Sequence, residues 1–271
     1  METRSLALVR RAVPRRLLFW VPAVLSAVLW TMVPGIPAER AEAVSPRSAP
    51  RADEKGLSAL FGSENRVLST PERVVAVTFN AAWNEAGLDR VLGELGRRRT
   101  PATFFLTGDF AGRHPRAVRR IADAGHGLGN HSFSHPYFRK VTADVRRREV
   151  RAADRALREA GAGKALTPFF RFPYGETSPA HIREVNELGF ADIEFTADTN
   201  GWKGREGGMT VDLAVGRALD ALRPGAILQM HVGASQGRTE VLDALALPRV
   251  LDAVAARGYR VIDLRTLLTA A

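Results

Sequence analysis

The sequence of 271 residues predicts an α/β protein with a mostly parallel sheet, because strand-like and helix-like segments alternate along most of its length. Apolar runs such as ATFF and AILQM are continuous, which is typical of strands buried on both faces. The sequence is 45% hydrophobic and 25% charged, which indicates a globular domain with a sizeable core. Either an open sheet or a closed barrel fits. In both, functional residues are expected just past the carboxyl ends of the strands.

The elements follow one another in a regular order. Strands are predicted from short runs rich in β-branched and aromatic residues, namely VVAVTF, ATFFLTG, HGLGN, FFRFP, FADIEF, AILQMH and YRVIDL. Helices are predicted between successive strands from apolar residues at helical spacing, namely AGLDRVLGELGRR, HPRAVRRIADAG, VTADVRRREVRAADRALREAG, SPAHIREVNELG, TVDLAVGRALDALRPG and EVLDALALPRVLDAVAARG. This order predicts crossover helices between parallel strands.

The amino terminus is predicted to direct export. Five arginines and Glu2 fall within the first sixteen residues, and residues 17–33 form an apolar run without a charge. A basic region, an apolar region and an A-x-A sequence ending at Ala43 are typical of a signal peptide. The apolar run is also long enough to remain as a membrane anchor. We therefore expect a protein that is secreted or anchored on the outer face of the cytoplasmic membrane and associated with the cell wall.

Composition divides the chain into three parts. Residues 1–43 are predicted to be the signal peptide or anchor, residues 44–70 a linker rich in Ser, Pro, Arg and Ala with one short ordered turn around LSALFG, and residues 71–271 the folded domain. The export segment carries +4 of the formal net charge of +10, and the remaining +6 favours contact with an anionic envelope. No aromatic residues interleave with the arginines at 146–148, which argues against nucleic-acid binding. The oligomeric state is left open.

Polar residues gather at the predicted strand ends. The chain has no cysteine, so a metal would need histidine, carboxylate, amide or water ligands. His131 and His135 are spaced i, i+4, which on a helical turn would place both imidazoles on one face, close enough to share a divalent ion. Taken alone, this spacing fits solvent-facing histidines better, and its position at a strand end favours a ligand pair. The other strand-end residues are Asn80, Arg171, Tyr174, Asp198, Trp202 and His231.

Taken in order, these segments resemble the polysaccharide deacetylases with a NodB-type domain, carbohydrate esterase family 4. The resemblance covers roughly residues 74–264 and rests on TFNAAW against T-F-D-D-G, ATFFLTG, HSFSHP against H-S/T-x-x-H, RFPYG against R-x-P-Y-G, residues 198–202 against D-x-x-x-W, and AILQMH against the last histidine motif. It implies an α/β fold with a distorted (β/α) barrel of the NodB/polysaccharide deacetylase type. It also implies metal-assisted hydrolysis of an acetyl group on a sugar polymer.

The resemblance implies a catalytic role for several residues. His131 and His135 would bind zinc or another divalent ion, and His231 would act as general acid toward the leaving amine. Asp198 would orient or charge-stabilise that histidine, and Arg171 would help to hold the active-site carboxylates.

Two further residues are implied on the substrate side, and Trp83 is a third candidate because of its aromatic face. Tyr174 would supply a backbone N–H to the oxyanion site, and Trp202 would form an apolar wall for the acetyl methyl group. Trp83 and Trp202 have faces that can stack on sugar rings.

The first motif departs from the family. Asn80 stands at the position of the catalytic base, and Ala81 stands at the position of a carboxylate metal ligand. Gln229 replaces a leucine that usually lines the acetyl pocket. Neither an amide nor a methyl group can do the work of the missing carboxylates, because an amide is not a base near neutral pH and a methyl group binds no metal.

Three explanations stay open. A divalent ion, zinc or another, could be held weakly by the two histidines, water and the Asn80 carbonyl oxygen, with His231 serving as base and acid. Another carboxylate, Glu85 or Glu176, could fill in. The domain could also have lost catalysis and kept a glycan-binding groove. We expect a metal-dependent hydrolase that removes acetyl groups from an N-acetylated envelope polysaccharide, peptidoglycan or chitin-like; the alternative is a catalytically impaired protein that binds cell-wall glycan without turnover.

Overall fold

The computed structural model describes residues 52–234 and 240–269. The predicted export segment and the first part of the predicted linker lie outside the described residues. No helix within the described ranges is long and apolar enough to cross a membrane.

The described part of the chain folds around one parallel sheet of eight strands, curled into a distorted barrel. The strand order is β5-β4-β3-β2-β1-β7-β6, and β8 pairs with the first half of β1 while β2 pairs with its second half. The strands are β1 (Val74–Ala81), β2 (Thr103–Leu106), β3 (Gly127–Asn130), β4 (Leu166–Phe170), β5 (Ala191–Asp192), β6 (Ala197–Asp198), β7 (Ala226–His231) and β8 (Arg260–Ile262). The predicted strands are confirmed, with one short strand, β6, in addition.

Helices connect the strands, as the alternation in the sequence predicts. The described α-helices are α1 (Ala52–Ala59), α2 (Leu88–Arg98), α3 (Gly108–Arg113), α4 (Pro115–Asp123), α5 (Ala143–Glu159), α6 (Pro179–Glu187), α7 (Val211–Asp220), α8 (Leu242–Ala256) and α9 (Thr266–Thr269). The short helices α3 and α9 have no counterpart among the predicted elements, and α1 overlaps the ordered turn predicted around LSALFG. The predicted fold class, an α/β distorted barrel, is confirmed.

The two faces of the central strands have different chemistry. In β1, Val75, Val77, Phe79 and Ala81 belong to the large apolar core that includes the buried sides of α2, α4, α7 and α8. The alternate residues of β1 face the inside of the curl, because successive side chains of a strand point to opposite faces. On that inner face an apolar residue, Ala76, is followed by Thr78 and Asn80. The same change occurs along β7, from Ile227 to Gln229 and His231, so polar groups collect at the carboxyl ends of both strands.

The structure describes residues 52–70 of the predicted linker, and part of this segment is paired with the sheet. Asn65 forms a bridge to Ile193 just past β5, and Val67 forms a bridge to Ala226 at the start of β7. Leu68 donates its backbone N–H to Gly225, and its side chain is 6% exposed in the inner apolar cluster. The composition of this segment suits a linker, but backbone pairing and one buried leucine are enough to fix it to the sheet.

Leu68→Ala should therefore destabilise the domain. We expect the free energy of unfolding to fall by about 2–3 kcal/mol, because a buried leucine is replaced and a cavity is left. Denaturant unfolding measures the change, and Ser69→Ala at the exposed neighbouring position is the matched control. Equal stability of the two variants would contradict the packing of this segment and favour a linker.

Candidate functional site

A pocket of about 240 Å³ opens at the carboxyl ends of the strands. It contains every residue that the sequence analysis placed in the site except Arg171, which is buried beneath it. The predicted residues that line it are Asn80, Trp83, His131, His135, Tyr174, Asp198, Trp202 and His231. Gln229 lies on the same wall. The strand-end rule thus brings together residues that are far apart in sequence.

His131 and His135 converge, although not on a helical turn. The loop after β3 carries both, and Ser132 and His135 adopt left-handed backbone conformations with φ of 64° and 59°. Such conformations are uncommon for residues other than glycine and asparagine, and they cluster at functional sites. The two histidines are therefore brought together by the loop and not by a helical turn, and the Nε2 atoms of the two rings lie 3.2 Å apart.

Both imidazoles are held neutral. The pKa of His131 is lowered well below its ordinary value, mainly by burial and next by the charge of the neighbouring His135. Burial also lowers the pKa of His135 to about 4. The Nδ1–H of His131 donates to the carbonyl oxygen of Arg171 at 2.8 Å, since a carbonyl can only accept. Its Nε2 lone pair therefore faces the pocket.

Arg171 places a buried charge under the pocket floor. Its side chain is 0% exposed and stacks on the ring of Phe105, with 3.9 Å from the guanidinium carbon to the ring centroid. Nη1 donates to Thr78 Oγ1 at 2.9 Å, and Nε and Nη2 donate to the carbonyl oxygens of Ile193 and Glu194 at 2.9 and 3.1 Å. Burial lowers the pKa of Arg171 to about 10, and the guanidinium stays charged at neutral pH.

Asn80 and Gln229 join Arg171 to Asp198 through a chain of hydrogen bonds. Arg171 Nη1 donates to Asn80 Oδ1 at 3.0 Å, and Asn80 Nδ2 donates to Gln229 Oε1 at 3.0 Å. Gln229 Nε2 then donates to Asp198 Oδ2 at 3.1 Å. Arginine can only donate and a carboxylate can only accept, so the two ends fix the orientation of both amides. We call this chain of four residues the amide relay.

The amide relay directs the N–H₂ group of Asn80, and not its carbonyl oxygen, toward the histidines. The Nδ2 of Asn80 lies 3.2 Å from His131 Nε2 and donates to its lone pair. The Asn80 carbonyl oxygen faces Arg171 instead. Binding of a metal by that oxygen, one of the explanations left open by the sequence, is not supported by this orientation.

The side chain of Ala81 lies on a different face of β1 from the side chain of Asn80. Asn80 and Ala82 line the pocket, whereas Ala81 is buried in the apolar core on the other face of β1. The position at which the family resemblance expects a metal-binding carboxylate therefore has apolar neighbours here.

The donor set does not fit a divalent ion held by three protein ligands. The 3.2 Å between the two Nε2 atoms is close to the roughly 3.3 Å expected for two ligands on tetrahedral zinc. Within the described residues, however, no group of three or more histidine and carboxylate side chains is arranged to hold a metal. An amide N–H stands beside His131 where an anionic ligand would be needed. The prediction of a weakly held divalent ion stays a prediction.

The substitute carboxylates considered from the sequence lie outside the pocket wall. Glu85 faces His114, with 3.4 Å between Oε1 and Nδ1. Glu176 pairs with Arg139 at 2.9 Å. Among the described residues, Asp198 is the carboxylate that lines the pocket, and both of its oxygens already accept hydrogen bonds, from Asn200 and Gln229.

His231 lies between two carboxylates, one of which the sequence analysis missed. Its Nδ1 is 3.2 Å from Asp243 Oδ2 and 3.8 Å from Asp198 Oδ1. Burial disfavours the imidazolium, but the charges of Asp198 and Asp243 outweigh burial and raise the pKa of His231. Asp243 lies in the first turn of α8, where an acidic residue is ordinary, so no sequence signal marks it. His231 is thus suited to donate a proton.

Aromatic side chains form the rim of the pocket. Tyr174, with φ of 64°, is 48% exposed and stacks on Tyr137 with ring centroids 3.8 Å apart. The ring centroids of Trp83 and Trp202 lie 6.4 Å apart with the rings tilted by 50°, and the centroid of Trp202 lies 6.1 Å from that of His231. Flat apolar surfaces beside hydrogen-bonding groups suit a ligand that presents sugar faces and amides.

The comparisons agree with this fold. The polysaccharide deacetylase family matches residues 68–193. A peptidoglycan-N-acetylglucosamine deacetylase of Bacillus cereus is 31% identical over 193 residues, which are 70% of this chain and 66% of that protein, slightly less than two thirds of its length. A chitooligosaccharide deacetylase of a Bradyrhizobium species is 32% identical over 197 residues, 70% of this chain and 88% of that protein.

The solved structures point the same way. A family 4 carbohydrate esterase pseudoenzyme from Bacillus anthracis is similar, with a TM-score of 0.65, 28% identity, and coverage of 73% of this chain and 66% of that one. A mutant of it with restored enzymatic activity has the same TM-score and identity and covers 73% and 69%. The curled parallel sheet, the order of the site residues and these similarities lead to one conclusion: the chain belongs to the polysaccharide deacetylase family, carbohydrate esterase family 4.

Proposed function

We propose that the pocket binds N-acetylated sugar units of a cell-envelope glycan, peptidoglycan or chitin-like, and that deacetylation by the natural sequence is impaired. The amide relay carries this proposal. At the position of the family's base it puts an amide, which accepts no proton near neutral pH. The neutral histidine pair and the aromatic rim still provide hydrogen bonds and apolar surface for an acetamido sugar.

The relatives support the class of ligand. The similar proteins carry the names of deacetylases of peptidoglycan N-acetylglucosamine and of chitooligosaccharides, so both polymers are candidates. The similar pseudoenzyme supports a fold that persists without full activity. The basic, apolar amino terminus supports export to the envelope, with residues 1–43 as signal peptide or anchor.

A second candidate is a working deacetylase, and the environment of His231 favours it. A protonated His231 between Asp243 and Asp198 could pass its proton to the departing amine, which leaves badly as an anion. This candidate needs another group to activate water, and His231 would have to serve as base and acid in turn. Removal of His231 would then abolish all turnover, whereas a binding protein has no turnover to lose.

Restoring the base should reveal the impaired step. We expect Asn80→Asp with Ala81→Asp to raise acetate release at least ~100-fold, because a positioned general base contributes about 10²–10⁴-fold. Adding Gln229→Leu should raise it further, since Gln229 Oε1 would otherwise face the new carboxylate at the 3.0 Å now spanned by an N–H···O bond. Acetate release from peptidoglycan and chitin oligomers is the measurement.

Two controls accompany this test. His231→Ala in the restored background should return acetate release to the unmodified level, and Asn80→Asp alone is the second variant, because a carboxylate at the buried, apolar position 81 should lower stability, which unfolding curves measure. Acetate release by the unmodified chain at the restored rate would contradict impairment and favour the second candidate.

Zinc affinity should follow the same substitutions. We expect the unmodified chain to bind zinc weakly and the Asn80→Asp, Ala81→Asp variant at least ~10-fold more tightly, because the side chain at position 80 lies beside His131 and a carboxylate there adds a large attraction for the ion. Titration of the metal-free proteins measures both. Replacing His131 and His135 by Ala in the restored variant should abolish the gain; an unchanged affinity would show that zinc binds elsewhere.

Glycan affinity should depend on the aromatic rim. We expect Trp202→Ala to weaken binding of a chitin or peptidoglycan oligosaccharide about 3- to 10-fold, in line with the energy of an aromatic contact. Leu213→Ala is a matched control, because Leu213 is 51% exposed on α7 and does not line the pocket. Equal affinity of both variants, measured by calorimetry, would exclude this pocket as the binding site.

A further inference from the structure

We infer that Asp243, and not Asp198, is the residue that positions the ring of His231 in the pocket. Asp243 Oδ2 accepts from the backbone N–H of His231 at 2.9 Å and lies 3.2 Å from its Nδ1. One carboxylate oxygen thus contacts both the backbone and the side chain of the same residue. No motif of the family resemblance includes Asp243, which reaches the strand end from helix α8.

The fold builds a place for this carboxylate. Asp243 is 0% exposed, and its other oxygen, Oδ1, accepts from Thr199 Oγ1 at 2.6 Å. Gly201 leaves the space that the carboxylate fills, since a Cβ at that position would lie 2.1 Å from Asp243 Oδ1 and 2.4 Å from its Cγ. A buried carboxylate needs several donors, and Asp243 has the hydroxyl, the backbone N–H and the imidazole.

Asp198 is engaged differently. Its Oδ1 accepts from the backbone N–H of Asn200 at 2.7 Å, and its Oδ2 accepts from Gln229 at the end of the amide relay. The 3.8 Å from Asp198 Oδ1 to His231 Nδ1 is too long for a hydrogen bond. Asp198 therefore acts on His231 through its charge, while Asp243 fixes the direction of the ring.

The consequence concerns the other ring nitrogen. With Nδ1–H donated to Asp243, Nε2 is the atom of His231 that remains for a ligand in the pocket. In the neutral ring Nε2 is an acceptor, and in the imidazolium its N–H can donate to the acetyl group of a bound sugar or, in a hydrolytic reaction, to the departing amine. The inference rests on the proposed function only in this last respect, since the contact between Asp243 and His231 does not require glycan.

Nuclear magnetic resonance of the full chain without glycan tests the inference. A ¹⁵N-edited spectrum of the histidine rings should show a His231 Nδ1–H proton protected from exchange with water, assigned by its loss in His231→Ala. In Asp243→Asn this proton should exchange about tenfold faster, because a hydrogen bond to a charged acceptor is roughly twice as strong as one to a neutral acceptor. Asp198→Asn is the comparison variant: it removes a charge 3.8 Å from Nδ1 but no hydrogen bond to it, so exchange should rise less than in Asp243→Asn.

The outcomes are distinct. Absence of a protected Nδ1–H in the unmodified chain overturns the inference without any substitution at Asp243, so a failure of that variant to fold leaves the test intact. Faster exchange in Asp198→Asn than in Asp243→Asn also overturns it. Because no glycan is present, the result is independent of acetate release and oligosaccharide affinity, on which the proposed function is tested.

Discussion

The buried positive charge of Arg171 is the constraint on which the pocket depends. Arg171 has no carboxylate within ion-pair distance among the described residues, and neutral oxygens of Thr78, Asn80 and the backbone surround it. Glu194 is the main charge that opposes the effect of burial on its pKa, from beyond hydrogen-bond contact of the two side chains. Because a guanidinium can only donate, every group around it must present an acceptor. Asn80 therefore points its oxygen at Arg171 and its N–H₂ group at His131 and Gln229, and this sets the polarity of the whole pocket.

The alternation of the strands explains where this constraint applies. Arg171 sits inside the curl, so it meets the inward residues of β1 and β7 and not the outward ones. Thr78, Asn80 and Gln229 face it, while Phe79 belongs to the outer core. Position 80 carries no charge, and Gln229 on the adjacent strand β7 supplies a second neutral acceptor, since Nη1 of Arg171 donates to both Asn80 and Gln229. Position 81 has no such neighbour, because its side chain lies on the opposite face in apolar surroundings.

Much of this architecture follows from the sequence, and what does not follow has physical reasons. The alternation of elements gives the parallel sheet, and the strand-end rule gathers His131, Asp198 and His231, because both depend on periodicity and topology. The contact of Asp243 with His231 depends on how α8 packs over Gly201, which no local pattern encodes. The orientation of the Asn80 amide depends on Arg171, which is 91 residues away in sequence. Leu68 is a single buried side chain in a segment whose composition otherwise suits a linker, so composition does not reveal its packing.

The pairing of Asn80 with Gln229 distinguishes a rebuilt site from one that has only lost a charge. If Asn80 faced an apolar side chain at position 229, its N–H₂ group would have His131 as its acceptor and the carboxylate of Asp198 would lack the donor that Gln229 now provides. Buried polar groups without partners cost about 1–3 kcal/mol each, so such a pocket would be strained. The amide relay removes that cost, because both amides have hydrogen-bond partners. It also joins the charges of Arg171 and Asp198 without a base between them. A hydrogen-bonded network whose amides all have partners is a stable floor for a binding pocket, and a carboxylate introduced at position 80 would be repelled by the oxygen of Gln229.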